Sequence, residues 1–458
     1  MKYLSFYGSF GKIWNIEEVR QKIMQEIRNY SEAINFIHSR RKFTKDPTLE
    51  RMRRLAELLG HPENNLNMIH VTGTNGKGSV AAYLRDLLLG QGYDVGTFTS
   101  PFIVKFNERI SVNGQMITDQ EIFDLVQKIL PVIEKVDHEY QKNGGGPTEF
   151  EVITLMMLLY FSQHQPDFVI VEVGIGGMFD ATNIITPLLS VITTVGMDHM
   201  KILGNTITAI AQQKAGIIKK GVPVVAGLLP VEAQKAVKSK AQETESDVYF
   251  LGTDFSYKAK NISNRWGEVF DYRFGQTILK NVRLQMVGDF QAANASVALT
   301  CFIVLLGKMG QSVQKSQLSK SLQRTSWPGR FEKVNDEPLI ILDGAHNLPA
   351  MQEIVKTLRS KFASTKIYVL LAILQDKQFE QMIKELEKVA NVTVVVTTFN
   401  SPRETFAPKT LAAKHPNLRA IDNWNEAMVG LVNEMSADDM LLITGSLYFV
   451  SEVRKYFK

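Results

Sequence analysis

The stretch Val71-Thr-Gly-Thr-Asn-Gly-Lys-Gly-Ser79 follows an apolar run that begins at Met68 and leads into a run of helix-forming residues. It therefore predicts a buried strand, a glycine-rich turn and the N-terminus of a helix. Glycines let the backbone turn tightly and point successive N–H groups at an anion, while Lys77 adds a positive charge and Ser79 a hydroxyl. The pattern predicts that the phosphates of ATP bind at Gly73, Thr74, Asn75, Gly76, Lys77, Gly78 and Ser79.

The spacing of this loop departs from the common phosphate-loop pattern G-x-x-x-x-G-K-[ST]. Only Thr74 and Asn75 separate the first two glycines, and Gly78 lies between the lysine and the serine. An ordinary glycine-rich turn between a strand and a helix is the alternative interpretation. The Lys-Gly-Ser ending and the helical pattern over residues 80–89 favour phosphate binding.

Length and composition indicate a globular protein with more than one domain. The chain has 458 residues, which exceeds the size at which a single hydrophobic core keeps growing, so we expect two domains of unequal size. Hydrophobic residues make up 45% and charged residues 22%, which is ordinary for a globular protein. The net charge of +5 is compatible with anionic substrates but too diffuse to indicate nucleic-acid binding.

The cysteine content and the apolar segments indicate the compartment. The single cysteine, Cys301, lies in an apolar run, so a disulfide within the chain is impossible and a reducing compartment is expected. The first ten residues carry no signal-peptide pattern. Apolar stretches such as residues 153–161 are much shorter than the ~20 residues that a membrane-spanning helix needs. We therefore expect a cytoplasmic protein without a membrane segment.

Apolar runs alternate with helical patterns after the loop, which predicts an α/β fold with a largely parallel sheet. The predicted strands are 94–98, 168–173, 188–195 and 222–226, and residues 249–284 predict short antiparallel strands. The alternation restarts after Ser326-Trp-Pro-Gly-Arg330, which predicts a boundary between a domain at 1–325 and a smaller α/β domain at 326–458. In the second domain we predict strands at 339–342, 366–371, 392–397 and 440–443, and helices near 351–362, 379–389 and 423–433.

Candidate metal ligands follow two predicted strands of the first domain. Glu172 lies at the end of one strand, and Asp198 and His199 follow another. Because the carboxyl ends of parallel strands share one edge of a sheet, these side chains are expected near the loop. A carboxylate beside a triphosphate is the usual way to hold Mg²⁺. The alternatives are a structural acid at a strand end for Glu172 and a structural histidine for His199.

A lysine falls on the apolar face of a predicted helix. In the helix predicted at 206–220, Lys214 shares one stripe with Ile207, Ile210, Ala211, Ile217 and Ile218. Burial lowers the pKa of an unpaired ammonium, and the neutral amine is then able to form a carbamate with CO₂. A carbamate acts as a carboxylate ligand for a second Mg²⁺. A lysine that extends its ammonium to solvent from the edge of the stripe is an equal alternative on periodicity alone.

These residues carry a resemblance that covers nearly the whole chain. The sequence resembles the folylpolyglutamate synthase and dihydrofolate synthase family, relatives of the Mur ligases. The ordered occurrence of the motifs is far more specific than any one of them. They are HVTGTNGKGS (70–79), TSPF (99–102), FNERI (106–110), TEFE (148–151), EVGIGG (172–177), DATN (180–183), DH (198–199), LGNT (203–206), KAGIIK (214–219), GDF (288–290) with Asn294, WPGR (327–330), DGAHN (343–347) and TGSLY (444–448).

The resemblance implies a fold and a set of site residues. The fold is a P-loop-containing, Mur-ligase-like ATPase domain with a mostly parallel sheet, plus a smaller Rossmann-like C-terminal α/β domain. The implied cofactors are ATP and two Mg²⁺ ions, with a monovalent cation as a further candidate. The resemblance implies that residues 73–79 bind the ATP phosphates, that Asn294 and Arg330 contact the nucleotide, and that the catalytic residues are Lys77, Lys214, His199 and Arg330. It implies that magnesium is bound by Ser100, Glu172, His199 and Lys214 as a carbamate. It also implies that Asp343 and His346 bind the nucleotide and glutamate, and that Ser446 contacts glutamate.

The resemblance also implies an activity. It is ATP-dependent addition of L-glutamate to tetrahydrofolate, and to dihydropteroate as well, through an acyl phosphate. The alternative is a folylpolyglutamate synthase without dihydrofolate synthase activity. The implied partners are these small molecules, and we expect a monomer that binds neither nucleic acid nor membranes.

Two other functions compete with this interpretation. A Mur-type ligase for nucleotide-linked sugar peptides needs a UDP-binding domain ahead of the loop, where only about seventy residues lie. A nucleotide-switched regulatory protein would show no dependence on glutamate. The chain departs from many relatives at Met178, where arginine is common, and at Gln213, where glutamate is common; residues 1–15 match no motif.

Overall fold

The computed structural model describes residues 27–44, 47–141, 145–260, 266–401 and 403–457. Among the described residues ahead of the glycine-rich loop there are two helices, α1 (Tyr30–Ser39) and α2 (Glu50–Leu58). Their apolar faces pack into a core with the helices that follow the loop. The chain at 1–15, and most of the helical pattern at 16–28, lie outside the described residues.

The segment from residue 68 to 250 forms an eight-stranded sheet with helices on both faces. Buried residues occupy every position of the central strands, as expected for parallel strands covered on both sides. In chain order the elements are β1 (Met68–Thr72), α3 (Lys77–Leu89), β2 (Val95–Phe98), β3 (Ile110–Val112), β4 (Gln115–Met116), α4 (Asp119–Glu139), α5 (Glu149–His164), β5 (Phe168–Glu172), β6 (Leu189–Ile192), α6 (Met200–Leu203), α7 (Ile207–Ala215), β7 (Val224–Ala226), α8 (Val231–Glu243) and β8 (Val248–Phe250).

The strand order places three functional segments side by side. The order is β4-β3-β2-β5-β1-β6-β7-β8, and every neighbouring pair is parallel except those that involve β3 and β4. Strand β1 lies between β5 and β6, so its carboxyl end lies beside theirs. The glycine-rich loop, Glu172 and the segment after β6 therefore meet at one edge of the sheet.

A small antiparallel sheet and two helices complete the first lobe, the name used here for residues 27–324. The elements are β9 (Phe255–Ala259), β10 (Glu268–Phe274), β11 (Thr277–Leu284), α9 (Asp289–Lys308) and α10 (Lys315–Arg324). Strands β9, β10 and β11 confirm the antiparallel strands predicted within residues 249–284. Residues 249–250 instead belong to β8, a parallel strand of the eight-stranded sheet. Helix α9 packs along α3, the helix that follows the loop.

One described helix, α9, is long and apolar enough to cross a membrane by length and composition alone, with a mean hydropathy of 1.7 over its apolar window. In the structure 72% of that window is buried among α3 and the antiparallel strands. Its apolar character is accounted for by this position in the core of the first lobe.

Residues 332–457 form the second lobe, a six-stranded sheet of order β12-β13-β17-β14-β15-β16 in which only β12 is antiparallel. The predicted boundary between residues 325 and 326 falls in the connection that leads into it. The elements are β12 (Glu332–Asn335), β13 (Leu339–Leu342), α11 (Leu348–Lys361), β14 (Ile367–Leu371), α12 (Phe379–Leu386), β15 (Val392–Thr398), α13 (Pro408–Lys414), β16 (Arg419–Asn423), α14 (Trp424–Glu434), β17 (Met440–Thr444) and α15 (Leu447–Arg454).

Candidate active site

The glycine-rich loop joins β1 to α3 as predicted. Gly76 is the N-cap of α3 with a φ of 86°, in the left-handed region that glycine tolerates best. No side chain of the described residues caps this helix, so the N–H groups of its first turn face the cleft without a protein acceptor. The Lys77 Nζ atom donates to the Gly73 carbonyl oxygen at 3.1 Å, which folds the lysine back over the loop.

Neighbouring segments hold the loop in shape. The Thr74 N–H donates to the Thr194 carbonyl oxygen at 2.9 Å, and the Asn75 N–H donates to the Thr194 hydroxyl at 2.9 Å. A side chain at Gly76 would place its Cβ 2.6 Å from the amide oxygen of Asn294 on α9. The loop is therefore preorganised, and Asn294 lies directly against it. The nucleotide contact of Asn294 stays a prediction.

Glu172 provides a buried carboxylate beside the loop. It is 4% exposed, its Oε1 atom lies 3.9 Å from the Lys77 Nζ atom, and its Oε2 atom accepts the Ser100 N–H at 3.3 Å. Burial raises the pKa of Glu172, and the positive charge of Lys77 and the Ser100 hydrogen bond offset only part of that rise. The protein alone therefore under-compensates this negative charge, as expected at a cation site.

Lys214 is buried in the first lobe and lines the same cleft as this carboxylate. Its side chain is 3% exposed, and its ammonium has no hydrogen-bond or ion-pair partner among the residues that the structure describes. Burial, reinforced by the positive charge of Lys77, lowers its pKa to about 7. A substantial fraction of the amine is then neutral near neutral pH.

The helix that carries Lys214 is shorter than predicted. Helix α7 ends at Ala215, because the chain tightens at Gly216 and the Ile217 and Ile218 N–H groups donate to carbonyls only three residues back. Both isoleucines are buried, but beyond the helix rather than on its stripe. The predicted helix at 206–220 is therefore wrong in its last turn, although the burial of Lys214 is as expected.

His199 lies at the start of α6 and lines the same cleft. It is the N-cap residue, with a φ of 49°. Burial is the main cause that lowers its pKa to about 4, so the imidazole is neutral at physiological pH. A neutral imidazole has a nitrogen lone pair that is available to a metal ion.

The second lobe contributes to the opposite wall of the cleft. Asp343 is 4% exposed, and its carboxylate accepts the N–H groups of Phe331 and Ala345, each at 2.8 Å. This carboxylate therefore fixes the backbone directly after Arg330 and directly before His346, and it lines the cleft itself. Ser446 caps α15 by accepting the Tyr448 N–H at 3.2 Å.

A polar cluster that was not predicted joins the two lobes. The Asn347 side chain exchanges hydrogen bonds with the Asn75 side chain at 3.0 and 3.1 Å and donates to the Asp198 carboxylate at 2.8 Å. The Lys377 Nζ atom lies 2.7 Å from the same carboxylate. We refer to Asn75, Asn347, Asp198 and Lys377 as the cross-lobe cluster. Asn347 lies in the DGAHN motif, whereas nothing in the sequence around Lys377 indicates this contact.

All of the predicted site residues line one cleft between the lobes, with a volume of ≈ 1110 Å³. The cleft is large enough for more than one drug-sized ligand. Among the described residues, no cluster of three or more His, Cys, Asp and Glu side chains forms a metal site. The lining residues are Gly73, Thr74, Asn75, Gly76, Lys77, Gly78, Ser79, Ser100, Glu172, His199, Lys214, Asn294, Arg330, Asp343, His346 and Ser446.

Comparison with protein families identifies both lobes. Residues 71–302 match the Mur ligase middle domain, and residues 329–447 match the glutamate ligase domain of Mur ligases. The chain is 39% identical to dihydrofolate synthase/folylpolyglutamate synthase of Bacillus subtilis over 94% of this chain and 99% of that protein. It is 37% identical to folylpolyglutamate synthase of Lacticaseibacillus casei over 93% of this chain and 98% of that protein.

Solved structures similar to this chain are also folylpolyglutamate synthases. A folylpolyglutamate synthase complex with AMPPCP and folate has a TM-score of 0.83 at 37% identity, over 94% of this chain and 99% of that chain. The Mycobacterium tuberculosis enzyme with ADP has a TM-score of 0.86 at 28% identity over the same shares. The chain therefore belongs to the dihydrofolate synthase/folylpolyglutamate synthase family of ATP-dependent Mur-type ligases.

Proposed function

We propose that this protein adds L-glutamate to tetrahydrofolate, and also to dihydropteroate, with cleavage of ATP to ADP and phosphate. The observation that carries the proposal is the convergence of the phosphate loop, Glu172 and Lys214 with Arg330 and His346 in one cleft between two lobes. The relatives named for these activities support it. ATP binding is supported by the nucleotide-analogue complexes of relatives.

The reaction proceeds in two displacements at this cleft. A carboxylate oxygen of the folate, or of dihydropteroate, forms a bond to the γ-phosphorus while the bond to the bridging oxygen breaks and ADP leaves. The glutamate amine then attacks the carbonyl carbon of the acyl phosphate, phosphate leaves with the bonding pair, and the nitrogen loses a proton. Lys77 and Arg330 stabilise the charge on the transferred phosphoryl group, with the free N–H groups of α3.

Magnesium fits the donor set beside the loop. A buried carboxylate that the protein leaves under-compensated, a hydroxyl and a neutral imidazole are oxygen and nitrogen donors that suit the ion together with phosphate oxygens. Ser100, Glu172, His199 and the carbamate of Lys214 would hold the ions. When bound, magnesium neutralises charge on the triphosphate.

Carbamylation of Lys214 follows from its environment. The ammonium first loses one proton, and the neutral amine nitrogen then attacks the carbon of CO₂. A C–N bond forms and a second proton is released from the nitrogen, so a buried cation becomes an anion. The pKa of about 7 leaves the amine reactive at neutral pH. Carbamylation also removes the free-energy cost of burying an ammonium that forms no ion pair with a described residue.

Enclosure of the cleft protects the acyl phosphate from water. The cross-lobe cluster already joins the two lobes beside the loop. Both walls come from one chain, which supports a monomer, and the single buried Cys301 supports a reducing, cytoplasmic location.

The test is incorporation of radiolabelled L-glutamate by purified protein with ATP and magnesium, with tetrahydrofolate and dihydropteroate offered in parallel. Labelled product from both substrates is the expected result. Product from tetrahydrofolate alone would support the alternative, a folylpolyglutamate synthase without dihydrofolate synthase activity. ATP turnover that does not depend on glutamate would overturn the ligase proposal.

A further inference from the structure

Arg109 lines the cleft but has no role in the mechanism described above. It ends the 3₁₀ turn Phe106–Arg109, which leads into β3. Its guanidinium carbon lies 5.2 Å from the centre of the Phe102 ring and 5.5 Å from the centre of the Phe106 ring. A guanidinium held over aromatic faces keeps its in-plane N–H donors free for another partner.

Arg109 lacks an anionic partner within the described ranges. Its Nε atom is buried without a hydrogen bond, and no described carboxylate forms an ion pair with it. Burial lowers the pKa of Arg109, and the charge of Glu149 offsets this only in part. Arg51 lines the same cleft, but it donates to both carboxylate oxygens of Glu151 at 3.1 and 2.9 Å. The guanidinium of Arg109 is therefore a positive charge that forms no ion pair with a described carboxylate.

The surroundings of Arg109 indicate an organic substrate rather than the triphosphate. The charge of Arg109, like those of Lys77 and Arg330, influences the pKa of Glu172, so Arg109 lies within electrostatic reach of the reaction centre. It belongs to the connection between β2 and β3, not to the phosphate loop. Tyr448 of the second lobe is also within its electrostatic reach. Aromatic side chains and one free guanidinium suit a carboxylate attached to an apolar or aromatic body.

On the basis of the proposed function, we propose that Arg109 binds the carboxylate of the folate substrate that does not react. The terminal glutamate of tetrahydrofolate carries two carboxylates, and only the side-chain carboxylate is activated. The other carboxylate needs a partner in a cleft from which water is excluded, and a guanidinium pairs with it in a bidentate manner. Dihydropteroate carries a single, reacting carboxylate. Arg109 is thus a specificity residue that favours folates over dihydropteroate.

The test compares substrates with and without that carboxylate. For Arg109→Gln, kcat/KM for tetrahydrofolate is expected to fall about 10- to 100-fold. The kcat/KM for dihydropteroate is expected to stay close to that of the unsubstituted protein. The same is expected of kcat/KM for a tetrahydrofolate analogue that has γ-aminobutyrate in place of glutamate. That analogue keeps the side-chain carboxylate and lacks the other, so the test also works if dihydropteroate is not a substrate. Arg109→Lys keeps the charge without the planar fork and should recover part of the loss.

Two controls separate recognition from folding. Lys105→Gln changes an exposed cation on the same segment, whose ammonium pairs with Asp119 at 2.6 Å outside the cleft, and should leave all three values unchanged. The thermal midpoint and the affinity for an ATP analogue should match those of the unsubstituted protein in both Arg109 variants.

Other outcomes would overturn the assignment. Equal losses with all three substrates would make Arg109 a general positioning residue. A higher KM for L-glutamate with every substrate would place the incoming amino acid on the guanidinium. If the unsubstituted protein forms no glutamylated product at all, the proposed function fails instead, so the two failures are distinguishable.

Discussion

Two charged groups of side chains lie in the same cleft and differ in whether the protein satisfies them. In the cross-lobe cluster, the Asp198 carboxylate receives Lys377 at 2.7 Å and Asn347 at 2.8 Å. In the group formed by Lys77, Glu172 and Lys214, the shortest charge contact is 3.9 Å, and the Lys214 ammonium has no partner among the described residues. The satisfied cluster joins the lobes, whereas we expect bound ligands to bring the missing charges to the unsatisfied group.

The largest expected effect is from Lys214→Ala, which breaks the unsatisfied group. We expect glutamate ligation to fall by at least about 10³-fold, because a ligand for charge stabilisation at the triphosphate is lost. The fold and most of the affinity for an ATP analogue should persist, since no described residue depends on the ammonium. Ligation rate, analogue binding and thermal midpoint are the measurements.

The matched control for this substitution is Lys220→Ala. Its side chain is 79% exposed and forms only a surface contact with Glu245 at 3.6 Å, so its removal should change neither activity nor stability. Near-normal ligation by Lys214→Ala would refute the role of the carbamate at the metal site.

The next effect in size tests the satisfied cluster. Lys377→Met leaves the buried Asp198 carboxylate without its cation, and the free energy of unfolding should fall by about 3 kcal/mol. Urea unfolding measures this change. Lys409→Met, which removes an exposed cation 3.6 Å from Asp422 in the same lobe, should cost almost nothing.

A double-variant cycle shows whether the loss belongs to the ion pair. Asp198→Asn combined with Lys377→Met should be less destabilised than the sum of the single variants, because neither charge is then left alone. Strict additivity would mean that the two side chains do not interact across the lobes.

Sequence alone predicted the parts of this comparison that depend on local pattern. Apolar runs identify β5, β13 and β17, because parallel strands buried on both faces contain little else. The edge strands β4 and β16 were missed, since they are short and largely exposed and carry no apolar run. Helix α7 was extended too far because Ile217 and Ile218 are buried for a reason other than helical periodicity.

The residues of the candidate active site also fall into those that the sequence predicts and those that it does not. Residues at strand ends, such as Glu172, were predicted because the topology of parallel sheets brings strand ends together. Lys377 was missed, and Arg109 was quoted only as part of the FNERI motif without a role, because their roles depend on how the lobes dock and on which charges stay unpaired. Neither property leaves a periodic or motif signal in one sequence. Cross-lobe contacts such as Asn75 to Asn347 join residues that are 272 positions apart.

The third prediction concerns the rigidity of the loop against which the unsatisfied group is arranged. Gly76→Ala forces a side chain into a left-handed conformation and into Asn294, whose amide oxygen would lie 2.6 Å from the new Cβ. Displacement of Asn294 and of the helix N-terminus should weaken ATP-analogue binding about 10- to 100-fold, from strain of about 1–3 kcal/mol. Calorimetric titration gives the affinity.

Gly307→Ala is the control for added bulk at a glycine. It lies in α9 with no atom near the position of a new Cβ, so nucleotide affinity should be unchanged and stability should rise by up to about 1 kcal/mol. Unchanged ATP binding in Gly76→Ala would show that the loop adapts and that its preorganisation is unimportant.

The last predictions sharpen the comparison through pH, with opposite pH windows for the two groups and a small change in stability at each step of pH. The pKa of Lys214 is lowered from 10.5 to about 7, so between these values the unfolded chain binds a proton that the folded protein does not. Stability relative to Lys214→Met should therefore rise with pH across this window, by at most about 1.4 kcal/mol per pH unit. Below pH 7 the penalty of the buried ammonium is fully present. Unfolding in CO₂-free buffer keeps the amine unmodified and measures this slope.

Asp198 should behave in the opposite sense and at acid pH. Burial would raise its pKa, but the positive charges of His199, Lys377 and His346 outweigh burial and hold the pKa well below its usual range. The two histidines carry that charge only below about pH 4. The stability contributed by the cross-lobe cluster is thus present above the unfolded pKa, near 3.8, and is lost as pH falls toward the folded value. Relative to Asp198→Asn, the advantage of the unsubstituted protein should shrink below about pH 4 and stay flat between pH 7 and 10. If the stability difference between the unsubstituted protein and Asp198→Asn instead changed with pH between pH 7 and 10, the two groups would titrate as one network. The division between satisfied and unsatisfied charges would then no longer hold.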